Sequence, residues 1–374
     1  MKLVPEIVRK FVPRPLPACV QSRLGSALYK NPRHPIGIVT GLVEGYFDRQ
    51  GIRKFQVSPD PAVSVEEAFD SLLVPVDHPS RSEGDTFYLG ERSLLRPHAT
   101  AHQAEFLRAL NNSLEISESS GAVWTCDVFR RDEVDRTHFP IFHQTDGVRV
   151  WRGSSELLRA EALADLKSQL EGLVKFLWSQ APADISCLPP EIRWDESATF
   201  PFTDPSLELE ILTLEGRWME VLGCGLIKTE LLKPDEVGWA FGLGLERLAM
   251  LLFGIDDIRV FWSKDERFAE QFKQGVISKY KPIGKFPSIE KDLSFWVVGD
   301  DFSDNVFFEI CREVGSELLE SVKLVDSFNN GNRQSKCYRF NFRALDRTLT
   351  HGEVNTIQNR IVEQIRDRLA VIIR

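Results

Sequence analysis

Two extended runs follow one another in the middle of this chain, Ala122–Arg130 and Phe139–Val150, joined by a charged stretch, Arg131–His138. In the first run Val123, Thr125, Asp127 and Phe129 fall on one side, and Trp124, Cys126, Val128 and Arg130 on the other, which predicts a strand. The second run returns as its partner, so the pair reads as a hairpin with two arginines and an acid at its mouth. Aromatic and amide side chains line the returning strand. Such a surface could hold a phosphate chain flat against a sheet and stack a base on it. The same RRD sequence could equally be a solvated charged loop.

Size and charge narrow the field. A chain of 374 residues holds two domains, or three. Its 43% apolar and 27% charged residues are those of a soluble globular protein. No apolar run approaches the roughly 18 residues that a membrane span needs. The six cysteines, Cys19, Cys126, Cys187, Cys224, Cys311 and Cys337, include no CxxC, which fits reduced thiols better than a disulfide framework or a zinc site. A net charge of −9 argues against a protein that coats nucleic acid, but leaves room for a local patch. From Gly331 onward the balance reverses: Arg333, Lys336, Arg339, Arg343, Arg347, Arg360, Arg366, Arg368 and Arg374 face only Asp346, Glu353, Glu363 and Asp367.

In chain order, residues 1–33 are proline-broken and basic, which fits a targeting segment or its remnant, a basic arm, or a terminal extension lying along the surface. Ile38, Leu42, Val43 and Phe47 recur at helical spacing behind Pro35 and predict a helix over His34–Arg49. Thr100 begins a further helical pattern with Phe106, Leu107 and Leu110. Leu158, Leu166, Leu170, Leu173, Val174 and Leu177 stripe a long helix over Ser154–Gln180, with Ser155 or its neighbour as cap. Strands are expected at Ile192–Trp194, Leu207–Leu214 and Arg217–Leu226, then a helix over Trp239–Phe253. Gly242 and Gly244 lack the third glycine and βαβ setting of a dinucleotide fingerprint. They fit a strand-to-helix corner that approaches something closely, with Arg247 on the helix's first turn. His98 and His102 are four apart, but no third ligand stands at a metal spacing.

Beyond a charged linker at 263–284, the last segment has its own periodicity. Leu293, Phe295 and Val297 alternate as a strand, Asn305–Leu319 is helical, and Val322–Phe328 is a strand. Tyr338, Phe340 and Phe342 alternate with Arg339, Asn341 and Arg343. Thr350 and Glu353 form a capping box before a helix striped by Ile357, Ile361, Ile365 and Leu369. That order predicts a small split βαβ sandwich.

Four segments in this order resemble one family. FRRDEVDRTHFPIFHQTDG resembles motif 2 of the class II aminoacyl-tRNA synthetases, and GWAFGLGLERLAM resembles their motif 3. PFTDPSLELE and MEVLGCGLI look like the phenylalanine branch. The segment from KFPSIEKDLSFWV resembles that branch's ferredoxin-like anticodon-binding domain. A catalytic core followed directly by this domain is similar to the single-chain synthetases of mitochondria and plastids. The resemblance implies an α+β chain: a catalytic domain at 34–262 with an antiparallel sheet and flanking helices, and a ferredoxin-like domain at 285–374. It implies ATP as substrate with Mg²⁺, phenylalanine and tRNA(Phe) as partners, a monomer free of membrane, and a place in the mitochondrial matrix or the plastid stroma.

The resemblance also implies residue roles. Arg130 would meet the α-phosphate, where a carboxylate must attack despite like charge. Arg247 would meet the γ-phosphate and adenine, Phe142 would stack on adenine, and Gly242 and Gly244 would lie along the nucleotide. His98, Thr100 and Gln144 would hold the polar end of the amino acid, with Asp146 and Glu220 attracting its ammonium. Ala101, His102, Gln103, Thr137, His138, Phe139 and Thr145 would complete that surround. Phe200 and Phe202 would meet the substrate ring edge-to-face, and Ala240 and Phe241 would line its far end. Two departures stand out: Asp146 replaces the family's glutamate, and Ala99 breaks its HTS pattern. Asp204, Glu208 and Glu210 are candidate Mg²⁺ ligands, and Arg339 and Arg343 are candidate tRNA contacts.

Overall fold

The computed structural model describes residues 15–111, 119–182, 190–213, 216–298, 302–329 and 334–374. Residues 1–14 of the expected extension, Cys187, Leu214 and Arg333 lie outside the described residues.

The hairpin forms as β1 (Ser119–Phe129) and β2 (Ile141–Arg152), antiparallel, with Trp124 opposite Asp146 and Phe129 opposite Ile141. It sits within a seven-stranded sheet. Beyond β2 come β5 (Glu236–Gly244), β4 (Trp218–Ile227), β3 (Thr203–Leu212) and a short edge strand, Ile192–Asp195. On the other side of β1 only Arg53–Lys54 pairs, and it pairs in parallel.

Two helices cover one face of this sheet. In α1 (Pro35–Arg49), Pro35 takes the first turn and His34 Nδ1 accepts from the Ile36 N–H at 3.2 Å, so the helix opens where the sequence places it. Its Ile36, Val39, Val43 and Phe47 are fully buried, and the Phe47 ring stacks on Phe241 at 5.1 Å. In α2 (Glu156–Gln180), Ser155 caps the Leu158 N–H at 3.1 Å, and the expected leucine stripe is the buried face. Each fully buried leucine there contributes about 1.5–3 kcal/mol of transfer free energy.

One expected helix is shorter than its pattern suggested. Val237, Trp239, Phe241 and Leu243 alternate at a spacing of two and belong to β5; α3 (Leu245–Phe253) starts only after Gly244. It ends at Gly254, whose φ of 65° is the left-handed turn that glycine tolerates.

The C-terminal segment folds as β6 (Ile289–Val297), α4 (Asp304–Gly315), β7 (Leu319–Asn329), β8 (Gln334–Phe342), α5 (His351–Arg368) and β9 (Val371–Ile373). Its sheet runs β7-β8-β6-β9, the split βαβ arrangement. Phe295, Phe307, Tyr338, Phe340, Ile361 and Ile365 fill the space between sheet and helices, and the Thr350–Glu353 capping box forms. The other face of the sheet carries Asp292, Arg339 and Phe328, all exposed, and the partly exposed Trp296.

Residues 15–33 and 263–284 are both packed. Val20 is fully buried in the large core, with Leu16, Leu28 and Tyr29 against it. Arg23 lies over the rings of Phe139 and Trp262, 5.5 Å from each, and pairs with Glu317 of the C-terminal domain. Phe268, Phe272, Ile277 and Tyr280 anchor the segment that reads as a linker.

The β1–β2 loop is gripped by the C-terminal domain. Arg131 pairs with Glu309 on α4, both nearly fully buried. The Arg312 side chain donates to the Glu133 carbonyl, and the Val322 N–H donates to the Val134 carbonyl at 2.8 Å. Val134 is itself part of the C-terminal hydrophobic core. A buried ion pair stripped of one partner leaves an unpaired interior charge. Glu309→Ala should therefore lower unfolding free energy by about 3 kcal/mol. Adding Arg131→Met should recover part of that loss, as denaturant titration of the two variants will show.

Candidate active site

The side-chain alternation of β2 decides which residues can meet a ligand. Phe142, Gln144 and Asp146 point one way; Ile141, His143 and Thr145 point the other. On the first face, β5 sets Gly244 opposite Gln144, Gly242 opposite Asp146 and Ala240 opposite Val148. β4 then sets Gly223 opposite Gly242 and Gly225 opposite Ala240. Two adjacent strands, β5 and β4, thus present a strip with no side chain larger than methyl, bordered by Gln144, Asp146 and Val148 of β2. The strip is tightly walled: a Cβ on Gly223 would come within 2.7 Å of the Phe200 ring, and one on Gly225 within 2.2 Å of the Pro205 carbonyl. A Cβ on Gly244 would meet nothing within 4 Å, so the strip opens at that end. Phe200 and Phe202 stand at the wall with rings nearly parallel, 6.0 Å apart. Ala240 closes the far end among Ala99, Trp124, Val148 and Ile227.

A polar cluster borders the strip. The Thr100 hydroxyl donates to Asp146 Oδ2 at 2.6 Å, and the Ala99 N–H donates to Gln144 Oε1 at 3.1 Å. Asp146 Oδ1 is buried with no partner among the described residues. Burial pushes the Asp146 carboxyl up to about 7, against the Thr100 bond and the Arg130 charge. The His98 imidazole is pushed down to about 3, chiefly by burial and then by Arg130, which keeps it neutral at pH 7. Gln103 is buried nearby in sequence, and its Oε1 also lacks a partner.

Two guanidiniums complete the arrangement. Arg130 follows the last residue of β1; its Nε donates to the Pro97 carbonyl at 2.5 Å, and its guanidinium lies 5.3 Å from the Phe142 ring centre. Burial pulls its pKa down, while Asp132, Glu220 and Asp146 pull it up. Arg247, on the first turn of α3, donates through Nη1 to both the backbone carbonyl and the carboxylate of Glu220, each at 2.9 Å. Glu208 is raised by partial burial and next by Glu220. Carboxylates and guanidiniums therefore sense one another across one end of the site.

Several expected residues lie elsewhere. The Thr145 hydroxyl sits on the opposite face of β2, bonded to Thr125 at 2.9 Å, and the Phe241 ring turns towards α1. In both cases strand alternation places a neighbour, Gln144 or Ala240, at the site instead. His102 is held by Glu105 at 3.0 Å and by Arg96, and Ala101 packs into an apolar cluster with Val63 and Leu94 that reaches the site only through Phe202. Phe139 stacks on Trp262 at the domain junction. Thr137 and His138 both bond Asp135, and the His138 imidazole still feels the Arg247 charge, so these two stay near the nucleotide border of the site. Burial pushes the Asp135 carboxyl up, but the bonds from His138 and Thr137 outweigh it and hold it well below the carboxylate range. Asp204 is exposed, and Glu210 pairs with Arg193. Arg343 falls just past the end of β8, beside Glu320 at 3.4 Å.

The residues that sequence reading missed lie behind the site. Arg96 is fully buried. Its guanidinium donates to the Asp127 carbonyl (2.7 Å) and carboxylate, and to the Ser58 and Asp60 carbonyls at 3.1 and 3.0 Å. An interior charge persists only with such a set of acceptors. Its own carbonyl accepts the Phe129 N–H at 2.9 Å, so the ledge that aims Arg130 is pinned at both ends. Trp124 donates through Nε1 to the Ala99 carbonyl at 2.9 Å. An arginine between Leu95 and Pro97 in an otherwise apolar run was the available signal for this scaffold.

Comparison with known proteins gives this geometry its class. The family model described as "tRNA synthetases class II core domain (F)" matches residues 22–272, and the ferredoxin-fold anticodon binding domain matches residues 284–374. The chain belongs to the class II tRNA synthetases, in the phenylalanine branch that carries the ferredoxin-fold domain on the same chain. Similar relatives include the chloroplastic/mitochondrial phenylalanine–tRNA ligase of Arabidopsis thaliana, 42% identical over 99% of this chain and 85% of that one. The mitochondrial phenylalanine–tRNA ligase of Mus musculus is 37% identical over 92% of this chain and 82% of its own. The mitochondrial enzyme of Saccharomyces cerevisiae is 35% identical over 93% and 89%.

Asp146 generates a pH prediction for the free protein. A carboxyl raised from 3.8 to about 7 on folding favours the folded state fully below about 4, and that contribution is lost as pH rises through 7. Asp146→Asn should therefore raise the melting temperature at pH 8 and leave it unchanged at pH 4. Equal melting temperatures at pH 8 would show that the carboxyl is not strained by burial.

Proposed function

We propose that this chain attaches phenylalanine to tRNA(Phe) in two steps, with ATP as the activating substrate, in organellar translation. One observation carries the reading. A glycine strip walled by two phenylalanines has a carboxylate with an unpartnered oxygen beside it and two guanidiniums near its other border. On this reading the substrate's benzyl side chain would lie along the strip, its ammonium would pair with Asp146, and the triphosphate of ATP would be met by Arg130 and Arg247.

In the first step the phenylalanine carboxylate attacks the α-phosphorus of ATP. A mixed anhydride forms and pyrophosphate leaves. Arg130 neutralises charge on the α-phosphate, so two anions can approach and the developing negative charge is stabilised. Phe142 offers a face for adenine, and Arg247 meets the distal phosphate or the base. Ionised Asp146 holds the ammonium and Gln144 fixes the polar end. In the second step a ribose hydroxyl at the tRNA terminus attacks the activated carbonyl and adenylate leaves. No protein nucleophile is needed in either step, and positioning supplies most of the acceleration.

Mg²⁺ fits the acidic side of this site. Among the described residues no group of three metal-binding side chains assembles, but Mg²⁺ keeps several waters and takes only one or two carboxylates beside substrate phosphates. Glu208 and Glu220 are the two that interact. When bound, the ion would neutralise pyrophosphate charge as it leaves.

The open face of the C-terminal sheet is our candidate for contact with tRNA. Phe328, Trp296 and Arg339 lie on a four-stranded surface that can stack bases and meet phosphates. Arg339 is held by Asp292 at 2.8 Å yet remains exposed. No helix among the described residues is long and apolar enough to cross a membrane. The α1 helix, covered by the chain's own residues 15–33, fits a monomer.

Two tests follow from this reading. Exchange of labelled pyrophosphate into ATP should depend on phenylalanine alone among twenty amino acids. Arg130→Ala should slow it by on the order of 10²-fold or more, and Ala240→Gly should admit phenylalanines with larger para substituents. Exchange with another amino acid, or none, would overturn the assignment. Separately, Phe328→Ala with Arg339→Ala should weaken tRNA binding by about 1–3 kcal/mol and reduce its salt dependence while leaving pyrophosphate exchange intact.

A further inference from the structure

β5 stops pairing with β2 at Gly244, opposite Gln144, because the chain turns there into α3. The first residues of β2, Ile141–His143, would then lack a strand on that side. Glu246, in the first turn of α3, fills the gap. Its Oε2 accepts the backbone N–H of His143 at 2.8 Å, and its Oε1 bonds His143 Nδ1 at 2.6 Å. Both side chains are almost wholly buried, 2% and 0% exposed. The imidazole is hemmed in by the Tyr29 ring at 5.8 Å and the Trp262 ring, stacked at 5.9 Å. It has no room to swing away from the carboxylate.

The two partners flank the nucleotide side of the site. His143 lies between Phe142 and Gln144 on β2, and both of these point to the opposite face. Glu246 immediately precedes Arg247. The pair therefore ties the strand that carries the ring for a base to the helix that carries a guanidinium for phosphate. We propose that Glu246 and His143 are positioning residues for ATP, setting Phe142 and Arg247 in register from beneath the sheet; Gln144 and Asp146, further along β2, have the β5 ladder, Ala99 and Thr100 to place them as well. This rests on the reading of the site as an ATP and phenylalanine site.

The test uses the full chain and separates the two substrates. For wild type, Glu246→Ala and Glu246→Gln, KM for ATP and KM for phenylalanine are measured by pyrophosphate exchange, and ATP affinity by calorimetry. Glu246→Ala should raise KM and Kd for ATP on the order of tenfold or more, as a misplaced binding group does, with KM for phenylalanine within about twofold. Glu246→Gln should restore ATP affinity to within about threefold, because its amide oxygen can accept the N–H and its amino group can donate to Nδ1. Unchanged ATP binding in Glu246→Ala, an equal rise in both KM values, or a glutamine variant no better than alanine would each overturn the proposal. Should Glu246→Ala fail to fold, His143→Asn replaces it; that variant keeps the backbone bond and should still raise only the ATP constants, and no rise would overturn the idea. If wild type catalyses no exchange, the assigned function fails, and calorimetry with ATP still decides the role of the pair.

Discussion

The main-chain ladder between β2 and β5 is the constraint on which the site depends. Gly242 lies opposite Asp146, where a Cβ would crowd Oδ1 at 3.1 Å. A slip of one residue would exchange Phe142, Gln144 and Asp146 for Ile141, His143 and Thr145 on the ligand face. Apolar burial does not fix this register by itself, since both faces of β2 carry polar groups. The hidden face has its own locks: His143 on Glu246, and Thr145 on Thr125. Each polar residue on β2 is thus matched to one face only, and matched polar pairs in a dry interior discriminate strongly against the alternative.

Charge placement follows from that frame. Arg130 leans on a neutral carbonyl whose own segment is pinned by buried Arg96, so its direction is set by scaffold. Arg247 is held differently, by a half-exposed glutamate. One cation is preset and the other is on a partner that can be exchanged for phosphate. Preset dipoles and charges cost no reorganisation when charge develops, which is the stronger role for a group at the reacting phosphorus.

Much of the fold was legible because its signals were local. The leucine stripe of α2, Pro35 at the start of α1 and the Thr350–Glu353 box each act within a few residues. The hairpin and the small sandwich were legible from alternation. Trp239–Gly244 alternates large and small residues at a spacing of two, but the small ones are alanine and glycine, not polar residues, so the run passes for one apolar stretch leading into the helix; its neighbours on both sides make it a strand. At the site, Arg130, Gln144, Asp146 and the Phe200–Phe202 pair were found by resemblance to family motifs. Thr145 and Phe241 were included with them because a motif names a stretch, whereas alternation admits only every second residue. Arg96, Trp124 and Glu246 escaped notice because their partners are far away in sequence, and burial alone makes those partners necessary.

The grip of the C-terminal domain on the β1–β2 loop reaches further than docking. Val134 belongs to that domain's hydrophobic core, and Arg131 finds its carboxylate there. The boundary drawn by homology between an activating half and an RNA-reading half therefore does not coincide with the boundary of packing. A truncated chain ending after the linker would carry a bare guanidinium one residue from Arg130 and a greasy side chain four residues from it, each with nowhere to go. In this molecule the loop that leads to Arg130 belongs as much to one half as to the other.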